Sequence, residues 1–150
     1  MLLAAAAVLQ AGTAAAQDDA LTAAVKADYD ANLAALFDDF HQHPELSGLE
    51  VRTSGIVADQ LEALGYQVTR EVGGHGVVAV LRNGGGPTIL VRGRMDGLPI
   101  GGDSGVANPS RARQVDSDGV EKPVMHACGH DVHITALIGT ARQLAERRDN

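Results

Sequence analysis

The 150-residue sequence contains no tryptophan, two phenylalanines, two tyrosines and a single cysteine. So few rings argue against an aromatic binding surface, and one cysteine cannot close an internal disulfide. Positive charge is scarce as well. Twelve Lys and Arg stand against 19 Asp and Glu, for a formal net charge of -7 and no basic patch, which disfavours nucleic acid as a partner. No apolar run reaches the about 20 residues that a bilayer-spanning helix needs. Internal repeats and coiled-coil heptads are absent. Gly84-Gly85-Gly86 is not a phosphate loop, because no Gly-Lys-Ser/Thr ending or helix follows it, and Pro109 bars Asn108-Pro109-Ser110 from accepting a glycan.

What is present is the balance of a globular chain, 45% hydrophobic and 21% charged, with 18 glycines that suit a loop-rich α/β protein. Residues Leu2 to Ala16 form an alanine-dominated stretch closing on Ala14-Ala15-Ala16-Gln17, the pattern of a secretory signal with small residues at its cleavage site. The expected division is a signal peptide over 1–17 and a folded part over 18–150, with the protein secreted or periplasmic.

Periodicity predicts a helix from Asp18 in which Val25, Tyr29, Leu33, Leu36 and Phe40 share a face, ended by His41-Gln42-His43-Pro44. Ser47 and Glu50 have capping-box spacing ahead of a second helix carrying Ile56, Val57, Leu61 and Leu64, stopped by Gly65. Gln67 to Val72, Gly76 to Leu81 and Thr88 to Val91 read as strands, the last two joined by a tight turn at Asn83 to Pro87. Gly93 to Pro123 reads as a long loop with a short strand near Arg113 to Val115. A final helix over Asp131 to Arg148, with Asp131 as N-cap, buries Ile134, Leu137, Ile138, Ala141 and Leu144.

The chemistry concentrates in Met125-His126-Ala127-Cys128-Gly129-His130-Asp131-Val132-His133, which holds one cysteine, three histidines and an aspartate. Cys128 and His130 occupy alternate positions, so on an extended loop they point the same way and can reach one ion or two adjacent ones. A thiolate and an imidazole suit zinc, and harder ions such as manganese tolerate the histidine better than the sulfur. The alternative is a buried thiol beside a surface histidine. His126 and His133 are weaker candidates, and Asp131 can cap the helix, orient His130, or both. Asp96, placed just beyond the expected strand Thr88 to Val91, is a metal ligand, an acid that fixes a ligating histidine, or a turn residue before glycine, and the charge of Arg94 beside it directs Arg94 outward or onto Asp96 or another carboxylate.

His43-Pro44-Glu45-Leu46-Ser47, Gly65-Tyr66, Arg92 through Ile100, and Val124 through His133 resemble, in order and spacing, the N-terminal part of zinc-peptidase-like bacterial amidohydrolases of the aminoacylase and hippurate hydrolase type. The resemblance implies an α/β, zinc-peptidase-like catalytic domain with a sheet flanked by helices. It also implies a smaller lid or dimerisation domain that would lie outside residues 18–150, and through it a homodimer.

The resemblance further implies two divalent metal ions (Zn, Mn, Ni or Co) and hydrolysis of the amide bond of an N-acyl amino acid or small peptide. By the same likeness Cys128 and His130 are metal ligands, Asp96 supports the site, and a general-base Glu with the remaining ligands is expected beyond Asn150. Residues 18–150 alone are then expected to be inactive. Enzymes of this type usually carry Asp where Arg94 stands, and Glu residues and a Leu-Pro-Tyr run where this chain has Gly101 to Asn108. Those departures imply altered substrate contacts or a non-catalytic metal- or peptide-binding homologue.

Overall fold

The computed structural model describes residues 19–148. The expected signal peptide lies outside the described residues. The chain divides into two units, Met1–Ala34 and Ala35–Asn150. In the first, residues 19–28 are helical and run into a π-helical turn at Tyr29–Leu33, closed by the Ala34 amide on the Tyr29 carbonyl. The sequence predicts uninterrupted α-helix here. A π turn inserts a residue into the repeat, and Val25 and Tyr29, expected on the buried face, are exposed.

Three helices organise the second unit: α1 (Ala34–Gln42), α2 (Val51–Ala63) and α3 (His130–Glu146). Helix α1 ends two residues before Pro44, as expected. Helix α2 is capped otherwise than its sequence suggests. Its N-cap is Glu50, with no side-chain cap from either Glu50 or Ser47. The Glu45 carboxylate reaches forward and accepts the Arg52 and Thr53 amides at 3.0 and 2.7 Å. A carboxylate suits a helix N-terminus because unpaired amides and the positive dipole end meet there. At the other end the Gly65 amide donates to Glu62 and the Tyr66 amide to Leu61, a Schellman closure.

The chain then forms β1 (Gln67–Val72) and β2 (Gly76–Val80), an antiparallel hairpin with Val68 opposite Ala79 and an irregularity between Thr69 and Val72. Helix α2 packs on this hairpin and on α3. A second hairpin joins β3 (Arg113–Val115) to β4 (Glu121–Pro123), its turn held by the Asp116 carboxylate on the Asp118 and Val120 amides. The core comprises Phe40, Val57, Ala58, Leu61, Val124, Ile134, Ile138 and Ala141. This is an α/β arrangement of helices flanking small antiparallel sheets.

The predicted strand Thr88 to Val91 is not formed, and β2 pairs with β1 rather than with it. Ile89 and Leu90 are 84% and 87% exposed. A run apolar on both faces is a strand for the middle of a sheet. Among the described residues no free strand lies beside it, whereas the short Gly73-Gly74-His75 turn brings β1 and β2 together at little entropic cost. Beyond it, Gly93 runs against α3, where a Cβ would sit 3.2 Å from Leu137 Cδ1.

Candidate metal centre

Three stretches far apart in sequence are drawn side by side below α3. The Gly97 amide donates to the Glu45 carbonyl at 2.6 Å, and Leu98 and Met125 exchange both backbone bonds at 2.8 and 3.1 Å. Only glycine fits at position 97, since a Cβ there would lie 2.7 Å from Val124 Cγ1 and 3.1 Å from the Glu45 carbonyl oxygen. Gln114 of β3 clips the same region, accepting the Leu46 amide at 2.6 Å and donating to the Leu49 carbonyl at 3.2 Å. Ser110 Oγ donates to the Val124 carbonyl at 2.8 Å. The segment Gly93 to Pro123 is therefore less of a loop than its sequence predicts.

This frame fixes where the cysteine–histidine segment turns. The Gly129 amide bonds the His126 carbonyl at 3.0 Å, and Gly129 itself, at φ 69°, is the N-cap of α3. The left-handed backbone there is cheap for glycine alone. Cys128 and His130 thus do not alternate on an extended strand, as their spacing suggests. Cys128 stands exposed in the turn and His130 opens the helix. The exposure of Cys128 removes the reading of a buried core thiol. Asp131 is the second residue of α3 rather than its N-cap.

His130 and Asp96 are brought together. The His130 ring is buried, with Nδ1 2.7 Å from the Asp96 carbonyl oxygen and 3.1 Å from its carboxylate. A carbonyl can only accept, so Nδ1 carries the proton and Nε2 is left with its lone pair. Metal-ligating histidines are held in this way. Arg94 lies 3.3 Å from the Asp96 carboxylate and is itself exposed, so the cation is directed outward and onto Asp96. His133 is exposed, its ring 5.4 Å from that of His130.

Two groups lie deeper. Asp131, 3% exposed, accepts His41 Nδ1–H at 2.8 Å. His126 is 6% exposed and neither ring nitrogen has a hydrogen-bond partner. Burial holds its pKa below the ordinary histidine value, against the opposing pull of the Asp131 carboxylate. In the sequence, His41 stands only as part of the end of α1. Its position inside the His-Gln-His-Pro-Glu-Leu stretch was the one available signal, because a pairing across 90 residues leaves no local period.

The donor set fits a divalent cation in part. An exposed thiol and a buried imidazole held through Nδ1 are soft and borderline ligands of the kind zinc accepts. Two donors are about half of a four-coordinate shell. Among the described residues no group of three or more His, Cys, Asp or Glu side chains is arranged to hold an ion.

No protein-family model matches the chain. It is 38% identical over 111 residues to a hippurate hydrolase of Campylobacter jejuni, covering 73% of this chain and 27% of that enzyme. A thermostable carboxypeptidase of Saccharolobus solfataricus is 40% identical over 111 residues, covering 73% and 26%. Among solved structures, Bacillus subtilis YXEP, a dinuclear metal binding peptidase from the M20 family, superposes with a TM-score of 0.68 at 34% identity, over 82% of this chain and 32% of that one. The chain spans about a quarter of the length of the curated relatives it matches. Identity of this order, joined to the same fold, makes the chain homologous to the dinuclear-metal peptidases and amidohydrolases of the M20 family.

Proposed function

We propose that the intact protein is an exported, metal-dependent amidohydrolase that cleaves the amide bond of N-acyl amino acids or small peptides. The observation that carries this reading is the His130 imidazole, pinned through Nδ1 to Asp96 with Nε2 left free, two residues from an exposed cysteine. Cys128 and His130 are the ligands, and Asp96 is their support. The cofactor in this reading is two divalent ions drawn from Zn, Mn, Ni or Co, and the dinuclear metal binding of YXEP supports a two-ion centre. When bound, such ions supply an acidified water and a polarised amide carbonyl. Asp96 keeps the Nδ1–H tautomer of His130, and so the basicity of Nε2, constant. Cys128, as a thiolate, contributes a negative charge and a soft donor. A general-base Glu and the remaining ligands lie beyond Asn150 in this reading, as does the domain through which a homodimer would form. Residues 1–17 act as the signal peptide that directs the protein to the periplasm or outside the cell.

The test is hydrolysis of N-benzoylglycine and a panel of N-acetyl amino acids by the intact protein, with its metal content, beside Cys128→Ser. Turnover should vanish on chelation, return with one of the four metals, and fall together with bound metal in the variant. Turnover indifferent to chelation would end the proposal.

Arg94 favours one competing reading, a non-catalytic homologue that binds metal or peptide, because its guanidinium already engages the supporting carboxylate. A metal-loaded protein that turns over nothing in the panel would establish that reading instead.

A further inference from the structure

We infer that His41 is a positioning residue for the ligand-bearing end of α3, acting through Asp131; this rests on the reading of Cys128 and His130 as ligands. His41 sits in the last turn of α1, 90 residues from Asp131, and donates Nδ1–H to Asp131 Oδ2 at 2.8 Å. The second carboxylate oxygen accepts the Val132 amide at 2.9 Å. Both Asp131 oxygens are therefore engaged, one by α1 and one by the first turn of its own helix.

The His41 ring is itself held, stacked on Phe37 at 5.8 Å between centroids and 29° between planes. Side-chain exposure is 19% for His41 and 5% for Asp131, so water competes little for the bond. Losing the donor would leave a buried carboxylate half satisfied, which proteins relieve by moving the group toward solvent.

The consequence for His130 follows from adjacency. His130 is fixed at its ring by Asp96, and the next residue is fixed at its side chain by His41. Two anchors on successive residues define both the place and the rotation of the helix start. With one anchor gone, the first turn can pivot about the His130–Asp96 contact and change where Nε2 stands relative to the turn that carries Cys128. His126, buried nearby, makes no bond to Asp131 or Val132 that substitutes for the lost anchor.

The test compares His41→Leu, which removes the donor, with His41→Asn, whose side-chain amide can place an N–H near the position of Nδ1–H, both in the intact protein. With Co2+ as probe, His41→Leu should bind the ion about ten- to a hundredfold more weakly and alter the thiolate-to-cobalt absorption, while His41→Asn returns to within about threefold of wild type. In the metal-free protein, hydrogen exchange at the Val132 and His133 amides should quicken about tenfold in His41→Leu and stay slow in His41→Asn, with β1–β2 unchanged. Wild-type cobalt affinity and exchange in His41→Leu would overturn the inference. Equal damage in both variants, spread to β1–β2, would overturn it too, because it would mark a general loss of stability. If the wild-type protein takes up no Co2+, the ligand reading fails, and the exchange comparison still decides whether His41 holds the helix start.

Discussion

His126 carries two buried ring nitrogens with no well-formed hydrogen bond, the Asp96 backbone lying near enough only to oppose in part the effect of burial. Burial disfavours the charged imidazole in the folded chain, whereas the unfolded chain protonates it near the ordinary value of about 6.5. A folded-state pKa depressed in this way contributes stability that is present above the unfolded value and lost as pH falls through the folded one. Urea unfolding of the metal-free protein should show stability declining below about pH 6.5, with His126 accounting for up to about 1.4 kcal/mol per pH unit. His126→Leu should lose that component of the slope and stay within about 1 kcal/mol of wild type at pH 7.5, since an unpaired polar group is exchanged for an apolar one. Equal slopes in the two proteins would refute the assignment. At this scale the sequence showed which residue types were available, and Cys128, His130 and Asp96 could be singled out by type and spacing. It could not show that His126 would be orphaned, because burial of a side chain is decided by segments distant in sequence.

The elements follow their local patterns where the pattern is self-sufficient. Helix α3 buries Ile134, Ile138 and Ala141 of the expected face but leaves Leu137 half-buried and Leu144 exposed near its end, and α2 ends at Gly65 as its sequence requires. Capping departs from expectation because a side chain outside the helix competes for the same amides. Glu45 takes the Arg52 and Thr53 amides that a local capping box would have used. Glu45→Ala should cost about 1 kcal/mol in urea unfolding, the usual worth of an N-cap, while Ser47→Ala should cost almost nothing. The reverse order would restore the local cap. Since Glu45 also lends its carbonyl to Gly97, this cap ties α2 to the stretch bearing Asp96, and the Cys128–His130 frame inherits its stability from α2.

At the scale of the whole molecule, the unformed strand is the main departure from expectation. Ile89 and Leu90 lie in an extended stretch without ladder partners and are almost fully exposed, and such an edge invites pairing with another chain. The 150-residue chain by itself should therefore self-associate at micromolar concentration in sedimentation velocity, and Leu90→Lys should return it toward monomer. A wild-type chain that stays monomeric to high concentration would show that this stretch is covered in solution.

What the sequence determined by itself is whatever depends on neighbours a few residues away. That includes the places of α1, α2 and α3, the β1 and β2 segments though not their pairing, the Gly65 stop, and a motif set dense enough to signal kinship with dinuclear-metal peptidases and amidohydrolases. Tertiary structure decided the rest. It paired His130 with Asp96 and His41 with Asp131, gave the α2 cap to Glu45, and left Thr88 to Val91 without a sheet. The physical reason is common to all of these. Each depends on whether a partner from elsewhere in the chain arrives within hydrogen-bonding reach, and no short-range period in the sequence encodes that arrival.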